Sequence, residues 1–357
     1  MKIFIDIGHP AHVHYYKNFI RIMEGKGHKF FVTARSRDCT LDLLKQYDIK
    51  YVNRGKGAVS RLGKLLYILK ADLILLWYSL KFKPDIYLSH FSIYTAHVAT
   101  ILRKKCILTG DTDSNTSHKY SMPFISAFLS PTCFQYNYGK KQIFFNSFME
   151  LMYLHPNYFT PNLDAIKNII PKNNKKNVLF RFVSWDAHHD TGMSGISMRI
   201  RKELITKLEP YCNIFISSEN ELDDFLKKYQ LHIDPHLMHD FLASIDFLLA
   251  ESATMTSECA VMGIPAIYYD TKGRCYTKEE DEVYNIVWNF KDTEGIVERA
   301  MKLAQTDNLK ETVKPNHDRL LNDKIDLTAF LVWFIENYPD SHKTMINNPE
   351  YQNKFKQ

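Results

Sequence analysis

Apolar and polar positions alternate along this chain with two different periods. Short apolar runs recur at Ile3 to Ile7, Lys29 to Thr33, Lys50 to Asn53, Asp85 to Leu88 and Cys106 to Leu108. Runs of this length bounded by polar residues predict buried strands. Between them the apolar spacing changes to three and four. Val13, Tyr16, Phe19, Ile20 and Met23 predict a helix over Val13 to Glu24, which Gly25 and Gly27 end. Similar stretches predict helices at Thr40 to Tyr47, Ser60 to Leu80 and Tyr94 to Arg103. Strand alternating with helix predicts a parallel sheet covered on both faces.

The pattern dissolves over Asn157 to Asn177, which holds Pro161, Pro171 and the polar run KNNKKN and reads as a linker. Alternation then restarts. Strands are predicted at Asn177 to Phe182, Cys212 to Ile216, Asp246 to Leu249 and Ala266 to Tyr269. Helices are predicted at Ser197 to Leu208, Glu221 to Tyr229, Pro235 to Ala243 and Thr256 to Met262. The expected fold class is α/β, with two Rossmann-like domains and a ligand cleft at the C-terminal ends of their strands. The expected boundaries are residues 1–165, residues 175–325, and a C-terminal helix with a mobile polar tail over residues 326–357.

Composition narrows the function. The chain has 357 residues, 45% hydrophobic and 24% charged, with a net charge of +6. That charge is too small and scattered for nucleic acid and suits an anionic ligand or a membrane surface. Six dispersed cysteines without a CxxC pair read as reduced thiols in a cytoplasmic protein. The N-terminus lacks a signal-peptide core. The apolar run Leu73 to Leu80 is too short to cross a bilayer.

Five stretches carry candidate chemistry: DIGHPAHVHYYKNF (6–19), TARSRD (33–38), MELMYLHP (149–156), RFVSWDAHHDTG (181–192) and ESATMTSECAVMGIPA (251–266). In the last, small hydroxyl residues open a helix behind a strand, and exposed N–H groups there would suit a phosphate. This stretch resembles the C-terminal domain of GT-B glycosyltransferases. It is also similar to MurG-type transferases and to the non-hydrolysing UDP-N-acetylglucosamine 2-epimerases. Over roughly residues 1–300 the chain resembles a prokaryotic family within the GT-B superfamily. One departure stands out: Glu251-Ser252-Ala253 occupies a turn that usually carries glycine near Ser252.

The resemblance implies a nucleotide-sugar donor held by the second domain. Its expected ligands are Arg181, Ser184, Ser252, Thr254, Thr256, Ser257 and Glu258, with Leu237 at the base. Glu258 would lie in the first helical turn and accept from ribose hydroxyls. Ala11-His12-Val13 aligns with a histidine-containing G-H-V loop, which makes His12 the catalytic base. Asp6 would orient an imidazole, also as a catalytic residue. His9, His14, Asp111, Asp113 and His118 are the expected acceptor-side residues. Adjacent His188 and His189 point apart on most backbones, so no metal site is expected, and no cofactor beyond the nucleotide sugar.

The expected activity is metal-independent transfer of a sugar to a saccharide or lipid-linked acceptor in surface polysaccharide or glycolipid synthesis. A 2-epimerase on the same scaffold and a non-catalytic nucleotide-sugar binder are the alternatives. Arg54 to Lys83, basic and leucine-rich, is a candidate for peripheral contact with the inner face of the cytoplasmic membrane. An ordinary helix pair packing on the sheet is the other reading of that segment.

Overall fold

A computed structural model describes residues 1–58, 60–112, 120–184 and 195–356. Seven parallel strands form the first sheet: β1 (Lys2–Ile7), β2 (Lys29–Ala34), β3 (Tyr51–Asn53), β4 (Ile86–His90), β5 (Lys105–Thr109), β6 (Ala127–Pro131) and β7 (Gln142–Phe145). Their order is β3-β2-β1-β4-β5-β6-β7. Five parallel strands form the second: β8 (Lys176–Phe182), β9 (Cys212–Ser218), β10 (Phe247–Ala250), β11 (Ala266–Tyr269) and β12 (Val287–Phe290). Their order is β12-β11-β10-β8-β9.

The chain divides into two compact units, residues 1–153 with 324–357, and residues 154–323. The proline-containing stretch after Pro156 is therefore not a bare linker. Its 3-10 turn Leu163–Ile166 belongs to the second unit, where Asn162 N–H bonds Asp240 at 2.7 Å. The last residues are not a free polar tail either. A helix at Asp340–Asn347 and a 3-10 turn at Pro349–Phe355 pack back on the first unit. Trp333 meets Tyr351 at 4.8 Å and Phe355 at 5.6 Å, and Gln352 accepts from Asn146 N–H at 2.7 Å.

The central strands are apolar because helices cover both faces of a parallel sheet. In β1, Ile3, Phe4, Ile5 and Ile7 are fully buried. Asp6 interrupts that run and is buried too. It pairs with Arg54 (Oδ1 to Nε 2.8 Å, Oδ2 to Nη2 3.1 Å) and accepts from Thr33 Oγ1 (2.8 Å) and Ser92 Oγ (2.7 Å). Arg54 also donates to the Tyr67 hydroxyl and lies over the Tyr94 ring at 4.8 Å. Arg54 thus belongs to the core and leaves the basic surface on which the sequence placed it.

A buried ion pair is costly to break, because removing one partner strands the other charge. Asp6→Ala is expected to lose about 3–5 kcal/mol of stability. Thr33→Val, which removes one neutral donor, is expected to lose about 1 kcal/mol. Urea unfolding followed by circular dichroism checks the ratio. Equal small losses would mean that Arg54 finds water in place of Asp6.

Candidate functional site

In open parallel sheets, ligands bind beyond the carboxyl ends of the strands where the strand order reverses. In the first sheet that point lies between β1 and β4. Asp6 is in register with Ser89, so His90 ends β4 beside Ile7 and Gly8. The Pro10–Gly25 helix begins immediately after this turn, earlier than Val13. His9 is its N-cap in extended conformation, and its ring accepts from Ala11 N–H at 3.2 Å. Pro10 follows at the first helical position, where a missing N–H costs nothing. His9 thus caps the helix through one ring nitrogen, and its ring lies 5.9 Å from that of His12.

His12 lies in the first turn, its ring 4.7 Å from His90 and 5.9 Å from Tyr15. His90 is fixed by a chain of bonds. The Tyr16 hydroxyl is 3.0 Å from Thr109 Oγ1, which is 3.1 Å from His90 Nδ1. His90 Nε2 is 3.5 Å from Asp111 Oδ1. Burial pushes the Asp111 carboxyl up, but the hydrogen bond and charge of His90 outweigh it and hold the group below its ordinary range. Burial pushes the Tyr16 phenol far up, so it stays protonated. One proton arrangement satisfies every member: Tyr16 donates to Thr109, Thr109 to His90 Nδ1, and His90 Nε2–H to ionised Asp111.

Burial holds the His12 imidazole well below its ordinary value, helped by the charges of His90, His9, Arg37 and Arg54. His12 is therefore neutral near pH 7, the state a general base requires. Gly8 N–H donates to its Nδ1 at 3.4 Å, which leaves the ring proton on Nε2 in the resting tautomer. Uptake of a proton at Nε2 requires that long bond to be released.

Two expectations in this region are corrected. The Asp6 oxygens are engaged by Arg54, Thr33 and Ser92, so Asp6 orients no imidazole. His14 is buried inside the helix, between Tyr153 at 5.2 Å and Tyr47 at 5.7 Å, and is a core residue. Asp111 joins the cluster through His90. Asp113 and His118 lie outside the described residues.

In the second sheet the order reverses between β8 and β10. Ser252 is the N-cap of the Ala253–Val261 helix, and its Oγ accepts from Met255 N–H at 3.4 Å. The helix therefore starts three residues earlier than predicted. Thr256, Ser257 and Glu258 move into its second turn and onto the buried side. Thr256 Oγ1 donates to the Ser252 carbonyl at 2.9 Å, Ser257 Oγ donates to Glu280, and Glu258 pairs with His239 Nε2 at 2.9 Å. These three are packing residues here, not donor ligands. The first-turn amides of Ala253 and Thr254 precede any intrahelical acceptor, so of the expected donor ligands on this helix Ser252 and Thr254 stay at its N-terminal end beside those amides.

Arg181, at the end of β8, already donates to Ser217 Oγ (2.9 Å) and Glu219 Oε1 (2.6 Å). Ser184 N–H and Oγ approach Glu219 Oε2 at 3.2 and 3.3 Å. A phosphate would compete with Glu219 for both residues. Glu251 accepts from Val183 N–H (3.1 Å), Ile196 N–H (2.6 Å) and Arg201 Nη2 (3.1 Å). It ties the end of β8 to the residues that open the Met198–Leu208 helix. Leu237 is half-buried in the 3-10 turn Pro235–Leu237. Asp186, His188 and His189 lie outside the described residues. Among the described residues, no three His, Cys, Asp or Glu groups are arranged to hold a metal.

The residues missed from the sequence are His90, Thr109, Tyr16, Glu219 and Glu251. The available signal was position, since His90 ends a strand adjacent to β1. Phe91, next to it, has a left-handed φ of 50°, and its ring lies where a side chain at Gly110 would project. That position requires glycine.

Residues 1–329 match the family described as "Protein of unknown function (DUF354)". The chain belongs to that family. An uncharacterised protein of Methanocaldococcus jannaschii, MJ0665, is 21% identical over 291 residues, 78% of this chain and 83% of that protein. Among solved structures, the MnaA–UDP complex of S. aureus superposes with a TM-score of 0.67 at 13% identity, covering 95% of this chain and 97% of that one. UDP-GlcNAc 2-epimerase from Neisseria meningitidis bound to UDP-GlcNAc gives 0.58 at 14% identity, covering 90% and 100%. The spinosyn rhamnosyltransferase SpnG with spinosyn aglycone gives 0.59 at 11%, covering 94% and 100%. The family member described here has the fold these proteins share, the GT-B fold with two Rossmann-like domains.

His12 should remain neutral at pH 6, where an ordinary histidine is mostly protonated. Its folded pKa lies below its unfolded value, so its stabilising contribution is present above about pH 6.5 and is lost as pH falls through the depressed value. NMR titration of the His12 ring, assigned with His12→Gln, checks this. A midpoint at 6.5 or above would contradict the burial argument.

Proposed function

We propose that this protein is a GT-B enzyme acting on a nucleoside-diphosphate sugar, and that it transfers the sugar to a saccharide or lipid-linked acceptor in surface polysaccharide or glycolipid synthesis. The supporting observation is a whole-chain fold likeness to proteins solved with UDP, with UDP-GlcNAc and, for a rhamnosyltransferase, with spinosyn aglycone. The nucleotide binds the second unit. Ser252, Thr254 and the open amides of the Ala253–Val261 helix receive the diphosphate, with Leu237 near the base. Negative charge that develops on the leaving diphosphate is met by the helix N-terminus, without a metal.

His12 acts as the base on the acceptor hydroxyl. Its neutral state fits that role, and its tautomer must change as it takes the proton. Asp111 holds His90, and His90 packs against His12, so the pair positions the base.

A 2-epimerase is the second reading, favoured by the likeness to the Neisseria enzyme. It needs no acceptor but does need proton donors and acceptors around one sugar ring. The His12, His90 and Asp111 cluster offers such groups.

Thermal shift of the purified protein against UDP-, GDP-, CMP- and dTDP-sugars, with and without EDTA, is the first test. A nucleotide-specific rise that survives EDTA is expected. No shift at millimolar ligand would sink the donor-site reading. Incubation with UDP-GlcNAc in heavy water, without acceptor, separates the two activities. Deuterium at C2 of the recovered sugar marks epimerisation, whereas a transferase leaves C2 unlabelled. His12→Ala is expected to retain the nucleotide shift and lose turnover by at least about 100-fold.

A further inference from the structure

We propose that two copies of this chain pair through the outer face of the Arg61–Phe82 helix. Tyr67, Ala71, Leu75 and Ser79 form its inner, buried face. The opposite face is also apolar. Leu62, Leu65, Leu66, Leu69, Leu73, Trp77 and Leu80 are each between 55 and 69% exposed. A surface helix with one core-facing stripe ordinarily carries polar residues on its other side.

The spacing points to a helical partner. Leu62, Leu66, Leu69, Leu73, Leu76 and Leu80 follow at intervals of four, three, four, three and four, with Leu76 partly buried. That is the 3-4 repeat of a coiled-coil seam, in which each leucine enters a hole on the facing helix. The intervals read the same in both directions, so the seam meets itself whichever way two copies run. A symmetric pair uses one patch twice, and this patch meets that requirement.

The area fits as well. At more than half exposure each, the seven side chains present on the order of 800 Å² of apolar surface, the share each partner contributes to a standard stable interface. Contiguous apolar patches of that size are uncommon on monomers.

Charge favours a second copy over a lipid surface. Beyond the first helical turn, the spacing puts Lys70 and Lys81 on one flank of the seam and Asp72 on the other. Lys81 lies 4.2 Å over the Trp77 ring, and Asp72 is bonded to His97 at 2.9 Å. A face built for an anionic leaflet would carry cations along both flanks. Arg54, which would have strengthened the basic character of this segment, is buried against Asp6.

Sedimentation equilibrium of the full chain tests the proposal. The wild type is expected at twice the chain mass at micromolar concentration. Leu69→Lys/Leu73→Lys is expected at one chain mass with an unchanged far-UV spectrum. Should the lysine variant fold poorly, Leu69→Ala/Leu73→Ala retains helix propensity and is expected to weaken the dimer at least about tenfold. A wild type that sediments as one chain up to about 100 μM, or a folded alanine variant with undiminished dimerisation, would overturn the proposal. So would a monomeric wild type that floats with phosphatidylethanolamine–phosphatidylglycerol vesicles and ceases to do so in the lysine variant.

Discussion

The carboxylate of Asp6 receives bonds from three other segments of the first unit. Thr33 comes from β2, Arg54 from the residue after β3, and Ser92 from the turn after β4. All are at the carboxyl ends of neighbouring parallel strands. A carboxylate in the middle of an apolar run is unfavourable unless its charge is matched and its lone pairs are filled. Filling them here fixes four chain segments at one level of the sheet. Ser92 is the N-cap of the Ile93–Ile101 helix, yet its hydroxyl goes to Asp6 instead of a helix amide. The rest of the region depends on that choice. Gly8, His9 and His12 follow β1 directly, and His90 precedes Ser92 by two residues, so anchoring Asp6 holds both sides of the histidine cluster.

The second unit meets the same constraint with different residues. Glu251 directly follows β10, the strand beside β8 at the reversal of order, and it too is buried. Its partners are two backbone amides and Arg201. In each unit a carboxylate sits at the carboxyl end of a switch-point strand and fixes the segments around it. Neither carboxylate is left over for a ligand. The sequence makes Asp6 look like an active-site acid because it lies near the end of an apolar strand, just before a helix. That position is also where a parallel fold must hold its loops together.

Most strands and helices were legible because period and length agreed. Strands β6 and β7 were not, since Cys133 to Lys141 breaks the alternation with aromatic and polar residues that the fold buries unevenly. The ordered C-terminus was hidden for a related reason. Trp333, Tyr351 and Phe355 meet only after the chain turns back, and no local period announces that. The helix after β10 was legible but its start was not. Ser252, Thr254, Thr256 and Ser257 are all competent caps, and only backbone geometry selects Ser252. A three-residue error there rotated Glu258 from a ligand-facing position to a buried pair with His239.

The histidines show why residue type alone was insufficient. His9, His12 and His14 lie within six positions, yet one caps a helix, one is packed between tyrosines and one is neutral beside His90. Helical geometry separates His14 from His12, because neighbours two apart on a helix do not share a face, whereas His9, the N-cap three residues before His12, keeps its ring 5.9 Å from that of His12. What distinguishes His12 is the company it keeps after folding. His90 is held on both nitrogens, by Thr109 and Asp111, so it has no free lone pair for a substrate proton. Among the described residues, His12 has only the long hydrogen bond from Gly8. Of the two rings in contact, the one less firmly bonded is the one able to change tautomer, and that difference supports the roles proposed for them, proton transfer for His12 and positioning for His90.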